Sequence, residues 1–267
     1  MSAILQASNL SVEFAERRLR LRRGSTAATV ALRGLDVEIP ERGAVGIVGE
    51  SGAGKSTLAK ALSGIIRPSA GTIRYRGEPL GYPRERRLAR AIQMVQQDPG
   101  GSLNPALSVG AVLAELLRFH GLSPPERIER DCGELMDLVG LTRATLGAKP
   151  RVLSGGQRQR VALARALAVS PTVLIADEIV SALDSPVQAG ILNLLVELRE
   201  RLELTLVLIA HDLAVVGAVC EHVLIMRAGE VLEHGPVAKV FAAPTSPYTR
   251  SLLDAARRLE LPTARVP

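Results

Sequence analysis

A chain of 267 residues can bury a large core in one or two domains, and its hydrophobic share of 47% is ordinary for a soluble α/β protein. Aromatics make up only 2% with no Trp, so the core falls to Ala, Leu, Val and Ile, and a net charge of +6 is too diffuse to point to nucleic acid. No stretch approaches the roughly 18 apolar residues of a membrane-spanning helix, and the two cysteines, Cys132 and Cys220, stand far apart without metal-ligand neighbours, which argues against a disulfide framework.

The first residues, Met1 to Gln6, carry neither a charged leader nor a long apolar run, so no signal peptide is expected. Alternation at Leu10, Val12 and Phe14, and again at Leu35, Val37 and Ile39, predicts two half-buried strands of an antiparallel sheet. Between them the basic run Arg17 to Arg23 reads as a solvated loop, with contact to anionic lipid or a phosphate-rich partner as the alternative. Pro40-Glu41-Arg42-Gly43 predicts a turn and Ala44 to Val48 a short buried strand. A helix follows from Lys55 to Gly64, whose missing side chain suits a C-terminal cap. Ala91 to Val95 reads as a strand, and Gln97 to Pro105 is rich in breakers. The pattern then turns helical: Ser108 can cap a helix through His120, and Ser123-Pro124 can open another ending near Gly140. Alternation resumes with a helix from Gly156 to Val169, a strand from Val173 to Ala176, a helix from Pro186 to about Leu202 and a strand from Leu204 to Ala210. The fold class expected is α/β. Residues 1–98 and 151–235 would form a core with an antiparallel β portion, 99–150 a helical insert, and 236–267 a tail.

The strand at Ala44 to Val48 runs straight into Gly49-Glu50-Ser51-Gly52-Ala53-Gly54-Lys55-Ser56, and a helix follows with Thr57 in its first turn. Strand, glycine loop and helix are the setting of a phosphate-binding loop. The glycines let successive amides point inward at phosphate oxygens, and the helix adds its positive end. Lys55 would neutralise the outer phosphates and the Ser56 hydroxyl would ligate magnesium. A second acidic element ends the apolar run Thr172 to Ala176. There Asp177 can hold the magnesium shell through water, and Glu178 is placed to orient or deprotonate an attacking water. In Leu153-Ser154-Gly155-Gly156-Gln157 the serine and the glycine amides open a helix, which makes a further anion site. The chain's own phosphate loop already serves one nucleotide, so this second site calls for a second chain.

With these three motifs the chain resembles, over nearly its whole length, the ATP-binding subunits of ABC transporters. The resemblance implies a P-loop NTPase (RecA-like) core with an N-terminal antiparallel β subdomain and an inserted α-helical subdomain, binding ATP and Mg2+. It implies that Gln97 contacts magnesium and water and senses a transmembrane partner, that Ser181 to Asp184 crosses to the other subunit, and that His211 reaches the γ-phosphate. Phe14 would stack on adenine, or equally belong to the core. Ile179 stands where the family usually carries Pro, and Gln96 where Phe is usual. Within the family, Ile92 to Pro105, Val180 to Leu195 and Val240 to Leu253 are similar to the oligopeptide, dipeptide and nickel importer ATPases. Those systems imply two transmembrane permeases, a second ATPase subunit (a different one or a copy), an extracytoplasmic substrate-binding protein and a peripheral place on the cytoplasmic face of the inner membrane, with no nucleic acid. A soluble ABC ATPase of DNA repair or translation is the rival reading. The chain carries no long coiled-coil insertion, second ATPase module or zinc motif of the kind such proteins have.

Overall fold

Two long strands open the chain, β1 (Ala3–Ala15) and β2 (Ala28–Pro40), paired antiparallel so that Leu5 meets Ile39, Ala7 meets Val37 and Leu10 meets Leu35. These six residues are buried; Leu35, Val37 and Ile39 keep the period of two of one apolar face, and a register shift between Ala7 and Leu10 puts Leu10 on the buried side of β1. Phe14, near the end of β1, is 44% exposed, which removes it from the core. The computed structural model describes residues 2–15, 28–97, 103–181 and 183–260; the basic run at 17–23, the loop residues 98–102, residue 182 and the tail 261–267 lie outside them.

The turn after β2 forms as expected, with Arg42 at φ +61° and the Gly43 N–H donating to the Pro40 carbonyl. It leads into β3 (Ala44–Val48), all five residues of which are buried. The glycine loop follows, then α1 (Lys55–Leu62). Gly64 at φ +70° ends α1: its N–H donates to the Ala61 carbonyl and that of Ile65 to the Lys60 carbonyl, a Schellman closure. Strands β4 (Ala70–Tyr75) and β5 (Glu78–Pro79) complete a four-stranded antiparallel sheet of order β2-β1-β4-β5.

Residues 83–206 form a second unit, and residues 1–82 with 207–267 the first. The second opens with α2 (Arg86–Ala91) and β6 (Ile92–Val95). Then comes α3 (Val109–Phe119), capped as expected by the Ser108 hydroxyl, which accepts the Ala111 N–H. The next helix does not begin at Ser123-Pro124. Pro124 precedes Pro125, which disfavours helical backbone, and it sits extended at ψ 151°. A 3₁₀ turn (Pro125–Arg127) intervenes, and α4 runs only over Ile128–Leu138. After α5 (Gly155–Leu167), β7 (Val173–Asp177) pairs parallel with β6, joining Ile92 to Val173 and Val95 to Ala176. Helix α6 (Ser185–Leu202) leads to β8 (Thr205–Ala210). Ile92, Leu113, Met136 and Leu163 are fully buried in this unit.

Back in the first unit come α7 (Leu213–Val219), β9 (His222–Arg227), β10 (Glu230–Pro236), α8 (Val237–Ala242) and α9 (Pro247–Glu260). β9 pairs parallel with β3 and antiparallel with β10, and β8 lies on the other side of β3. A strand with neighbours on both edges and all its side chains buried is a rigid mount for whatever follows it. Among the described residues no helix is long and apolar enough to cross a membrane.

Candidate functional site

The loop from Gly49 to Gly54 leaves the buried end of β3 and is braced from behind. A Cβ on Gly49 would lie 2.1 Å from the Met226 carbonyl oxygen, so only glycine lets the backbone come this close. Gly54 takes φ +98°, and a Cβ there would meet the Ala31 carbonyl oxygen at 2.7 Å. The Gly229 N–H donates to the Ala53 carbonyl at 3.0 Å, while the Gly229 carbonyl accepts from the Arg33 N–H. Strand β2 and the β9–β10 turn thus pin the loop's far side. Glu50, Ser51 and Gly52 are exposed at its tip and Ala53 is buried.

Lys55 is only 5% exposed, a costly place for an ammonium unless it is well bonded. Its Nζ curls back to donate to the Gly49 carbonyl at 2.7 Å and the Glu50 carbonyl at 3.0 Å. Gly54 is the N-cap of α1, so no side chain caps the helix, and its first turn holds no acid. Ser56 and Thr57 sit half-buried in that turn. A helix N-terminus with no acid in its first turn and a buried ammonium make a receptacle for anionic oxygens. His211 is exposed just after β8, and its neighbour Asp212 caps α7 by accepting the Ala214 N–H at 2.8 Å. Phe14 offers an open aromatic face in the same unit.

In the second unit the buried strand β7 ends on Asp177, 6% exposed. Glu178 follows at φ +51°, a left-handed backbone that few non-glycine residues adopt. The turn is held by Ser181, whose N–H and hydroxyl both donate to the Glu178 carbonyl, at 3.2 and 2.9 Å. Ser181 Oγ in turn accepts from Gln97 Nε2 at 3.2 Å. Ile179, 2% exposed, anchors the turn in the core, which therefore forms without a proline there. Asp184 caps α6, its Oδ1 accepting the Val187 N–H at 3.0 Å. Ser154 and Gln157 form a capping box at the start of α5: Ser154 Oγ accepts the Gln157 N–H, and Gln157 Oε1 accepts the Ser154 N–H. Gly155 and Gly156 pack under the Asp184 segment, where a Cβ on Gly156 would lie 2.5 Å from Val187. The Ser154 and Asp184 segments thus come together, as do Gln97 and the Glu178 turn.

Two contacts escaped the sequence. Ser181 lies 84 residues from Gln97, and the Tyr248 hydroxyl accepts the Glu50 N–H across 198 residues. Neither separation leaves a periodic trace.

The sequence pattern of the family described as ABC transporter matches residues 32–181. The chain is 44% identical over 235 residues to the peptidoglycan transport ATP-binding protein YejF of Agrobacterium fabrum, an alignment covering 86% of this chain and 43% of that protein. It is 44% identical over 229 residues to the di/tripeptide transport ATP-binding protein DppF of Pseudomonas aeruginosa, covering 84% of this chain and 71% of the relative. The chain spans 43% to 65% of the length of several curated relatives that it matches. Among solved structures it is similar to CbiO1 of Clostridium perfringens, part of the ABC transporter complex CbiONQ, with TM-score 0.76 and 29% identity over 98% of this chain and 97% of that one. A dimeric ATP-binding cassette in a post-hydrolysis state bound to ADP and Pi matches with TM-score 0.74 and 26% identity, over 87% of this chain and 98% of its own.

Proposed function

We infer, because this chain belongs to the ABC transporter family, that it binds and hydrolyses ATP as the energising subunit of a peptide importer. It would work with two permeases and a second ATPase subunit on the cytoplasmic face of the membrane. The observation that carries this reading is the braced loop Gly49–Ser56, where a buried ammonium and an uncapped helix start make a cradle for phosphates. The printed names of the relatives support a peptide cargo.

Each residue then has a role. The loop amides and Lys55 hold the phosphates, and Phe14 stacks on the adenine. The Ser56 hydroxyl and the Asp177 carboxylate, both hard oxygens, would hold magnesium, which would supply charge neutralisation of the phosphates. Glu178 takes the proton of the attacking water, Gln97 orients that water, and His211 contacts the γ-phosphate. Ser154, Gly155, Gly156 and Gln157 close over a nucleotide held by the other ATPase subunit, with Asp184 beside them. ATP that binds the closed pair better than the open one drives closure. A full swing from 1:99 to 99:1 takes about 5.5 kcal/mol of differential binding. Gln97 and the helical segment within 99–150 pass closure to the permeases, while 1–98 and 151–235 form the nucleotide-binding core and 236–267 a C-terminal tail.

The test is ATP hydrolysis by the purified protein with magnesium. Glu178→Gln should bind ATP and not turn it over, and Lys55→Ala should lose binding. Full turnover in Glu178→Gln removes the assigned base, and a wild-type protein that binds no ATP sinks the reading. Uptake of labelled di- and tripeptides by cells carrying the permeases, with and without this chain, tests the cargo.

A further inference from the structure

Glu50 is the second residue of the phosphate loop, and the peptide that joins it to Gly49 is held at both ends. The N–H of that unit, from Glu50, donates to the Tyr248 hydroxyl at 3.2 Å, and its carbonyl, from Gly49, accepts from Lys55 Nζ at 2.7 Å. Tyr248 is therefore a side chain from the far end of the chain bonded to the same peptide that the phosphate-loop lysine grips.

Tyr248 is 8% exposed, and the Arg227 guanidinium lies 4.9 Å from the centroid of its ring. Arg227 ends β9 directly after Met226, whose carbonyl backs Gly49. The same strand end thus braces the loop and the tyrosine.

The segment that carries Tyr248 is itself anchored. Glu233 of β10 is buried, and its carboxylate accepts the Thr245 N–H at 2.8 Å, the Thr245 hydroxyl at 2.9 Å and the Ser246 N–H at 3.1 Å. Ser246 Oγ passes the hold on by accepting the Tyr248 N–H at 3.3 Å. Burial alone would push the Glu233 carboxyl up, but its donors outweigh that and hold it down to about 2. So many bonds on one buried carboxylate fix residues 245 and 246, and with them the start of α9.

We propose that residues 245–248 form a strap across the back of the phosphate loop, anchored by Glu233, and that Tyr248 is a positioning residue for nucleotide binding. When the Lys55 ammonium swings toward a phosphate, the Gly49–Glu50 peptide loses the partner on its carbonyl. The Tyr248 bond then keeps that peptide from rotating and the loop amides from turning away from the phosphates. The proposal rests on the reading that this loop binds ATP.

Tyr248→Phe keeps the ring and its Arg227 contact and deletes only the oxygen. In the full chain it should weaken ATP binding about fivefold, the factor one hydrogen bond carries at equilibrium, and raise the KM for ATP while kcat stays within about twofold. Glu233→Gln, which confronts the same donors with an amide N–H₂, should weaken ATP binding in the same direction. The double variant should be no weaker than Glu233→Gln alone, because both act through one contact. A Tyr248→Phe protein that loses thermal stability but keeps its ATP affinity has lost only packing, and that result overturns the proposal, as do additive effects in the double variant. Hydrogen exchange of the loop at 49–54 separates this failure from failure of the functional reading. Tyr248→Phe should expose the Glu50 amide to faster exchange whether or not ATP binds, and unchanged protection overturns the strap. If wild-type protein binds no ATP, the functional reading falls, and with it the role in nucleotide binding, even where the exchange result upholds the strap.

Discussion

Gln97 Nε2 donates to Ser181 Oγ at 3.2 Å, and the Ser181 hydroxyl donates onward to the Glu178 carbonyl at 2.9 Å. A polar chain thus joins the end of β6 to the backbone of the residue proposed as general base. Glu178 needs such a restraint, since its φ of +51° is a backbone state that most residues leave when nothing holds them. A displacement of Gln97 would be felt at Glu178 through a single hydroxyl. That suits a glutamine proposed to report on a membrane partner.

Ser181→Ala cuts both links and leaves the backbone bond from the Ser181 N–H to the Glu178 carbonyl in place. One lost hydrogen bond of about 1 kcal/mol predicts a fall of about fivefold in ATP turnover, with ATP affinity within about twofold of wild type. Single-turnover hydrolysis alongside equilibrium ATP binding separates the two quantities. An unchanged rate would show that the chain from Gln97 contributes nothing to the chemistry.

What was legible in the sequence is what physics makes local. The strand at Ala44 to Val48, the Ser108 cap and the Gly64 terminus each depend on residues within one turn of the chain, and each stands as expected. The α/β class with its antiparallel sheet and P-loop NTPase core holds likewise, because the glycine loop demands that setting and the related cassettes share it. Helix α2 and the strands β4 and β5 went unseen, being six residues or fewer and too short for a period to declare itself. Phe14 illustrates a different limit. Alternation says which side of a strand a residue occupies, but not that its neighbourhood near the strand's end is open. The bonds to Ser181 and Tyr248 are pure tertiary structure, and only the folded chain reveals them.

Gly49 is the tightest point of the loop, and its replacement should be worse than its small size suggests. An alanine Cβ 2.1 Å from the Met226 carbonyl forces backbone to move, at a cost of about 1–3 kcal/mol. Because β9 also braces Tyr248 through Arg227, the shift should reach the nucleotide as well. Gly49→Ala is expected to lower the midpoint of thermal unfolding and to weaken ATP binding at least tenfold. Gly77→Ala is the control: its φ of +82° strains an alanine, but nothing lies within 4 Å, so it should cost about 1 kcal/mol and leave ATP binding alone. Equal ATP affinity in the two variants would contradict the close approach at Gly49.

The strap should be sensitive to acid, with a defined sign. Glu233 is held at about 2, below its ordinary 4.5, so its charged form is favoured in the folded chain. Its contribution to stability is complete above 4.5 and drains away as the pH falls toward 2. Glu233→Gln has no such titration. Denaturant unfolding of both proteins should therefore show wild type more stable at pH 7, with the gap narrowing steadily below about pH 4.5. A gap that stays constant across that range would mean that the carboxylate's charge does not anchor residues 245 and 246.

The segment from Ser154 to Gln157 bears on how many kinds of chain make one working unit. Ser154 is exposed, but its hydroxyl already accepts the Gln157 N–H, and the Gln157 side chain is turned back onto the Ser154 N–H. An incoming phosphate can be met here by the amides at the start of α5 without breaking the box, or by the Ser154 hydroxyl only after the box opens. The proposed function has that phosphate brought by another subunit. Light scattering on Glu178→Gln protein, which should hold ATP without hydrolysing it, tests whether that subunit can be a second copy. A mass that doubles only with ATP and magnesium would mean that this chain completes both composite sites by itself. A monomer that still binds ATP would assign the missing half to a different ATPase subunit. In the doubling case Ser154→Ala should weaken the dimer modestly, by the roughly 1 kcal/mol of a lost helix cap, if the amides do the binding. It should abolish the dimer if the hydroxyl must reach the phosphate.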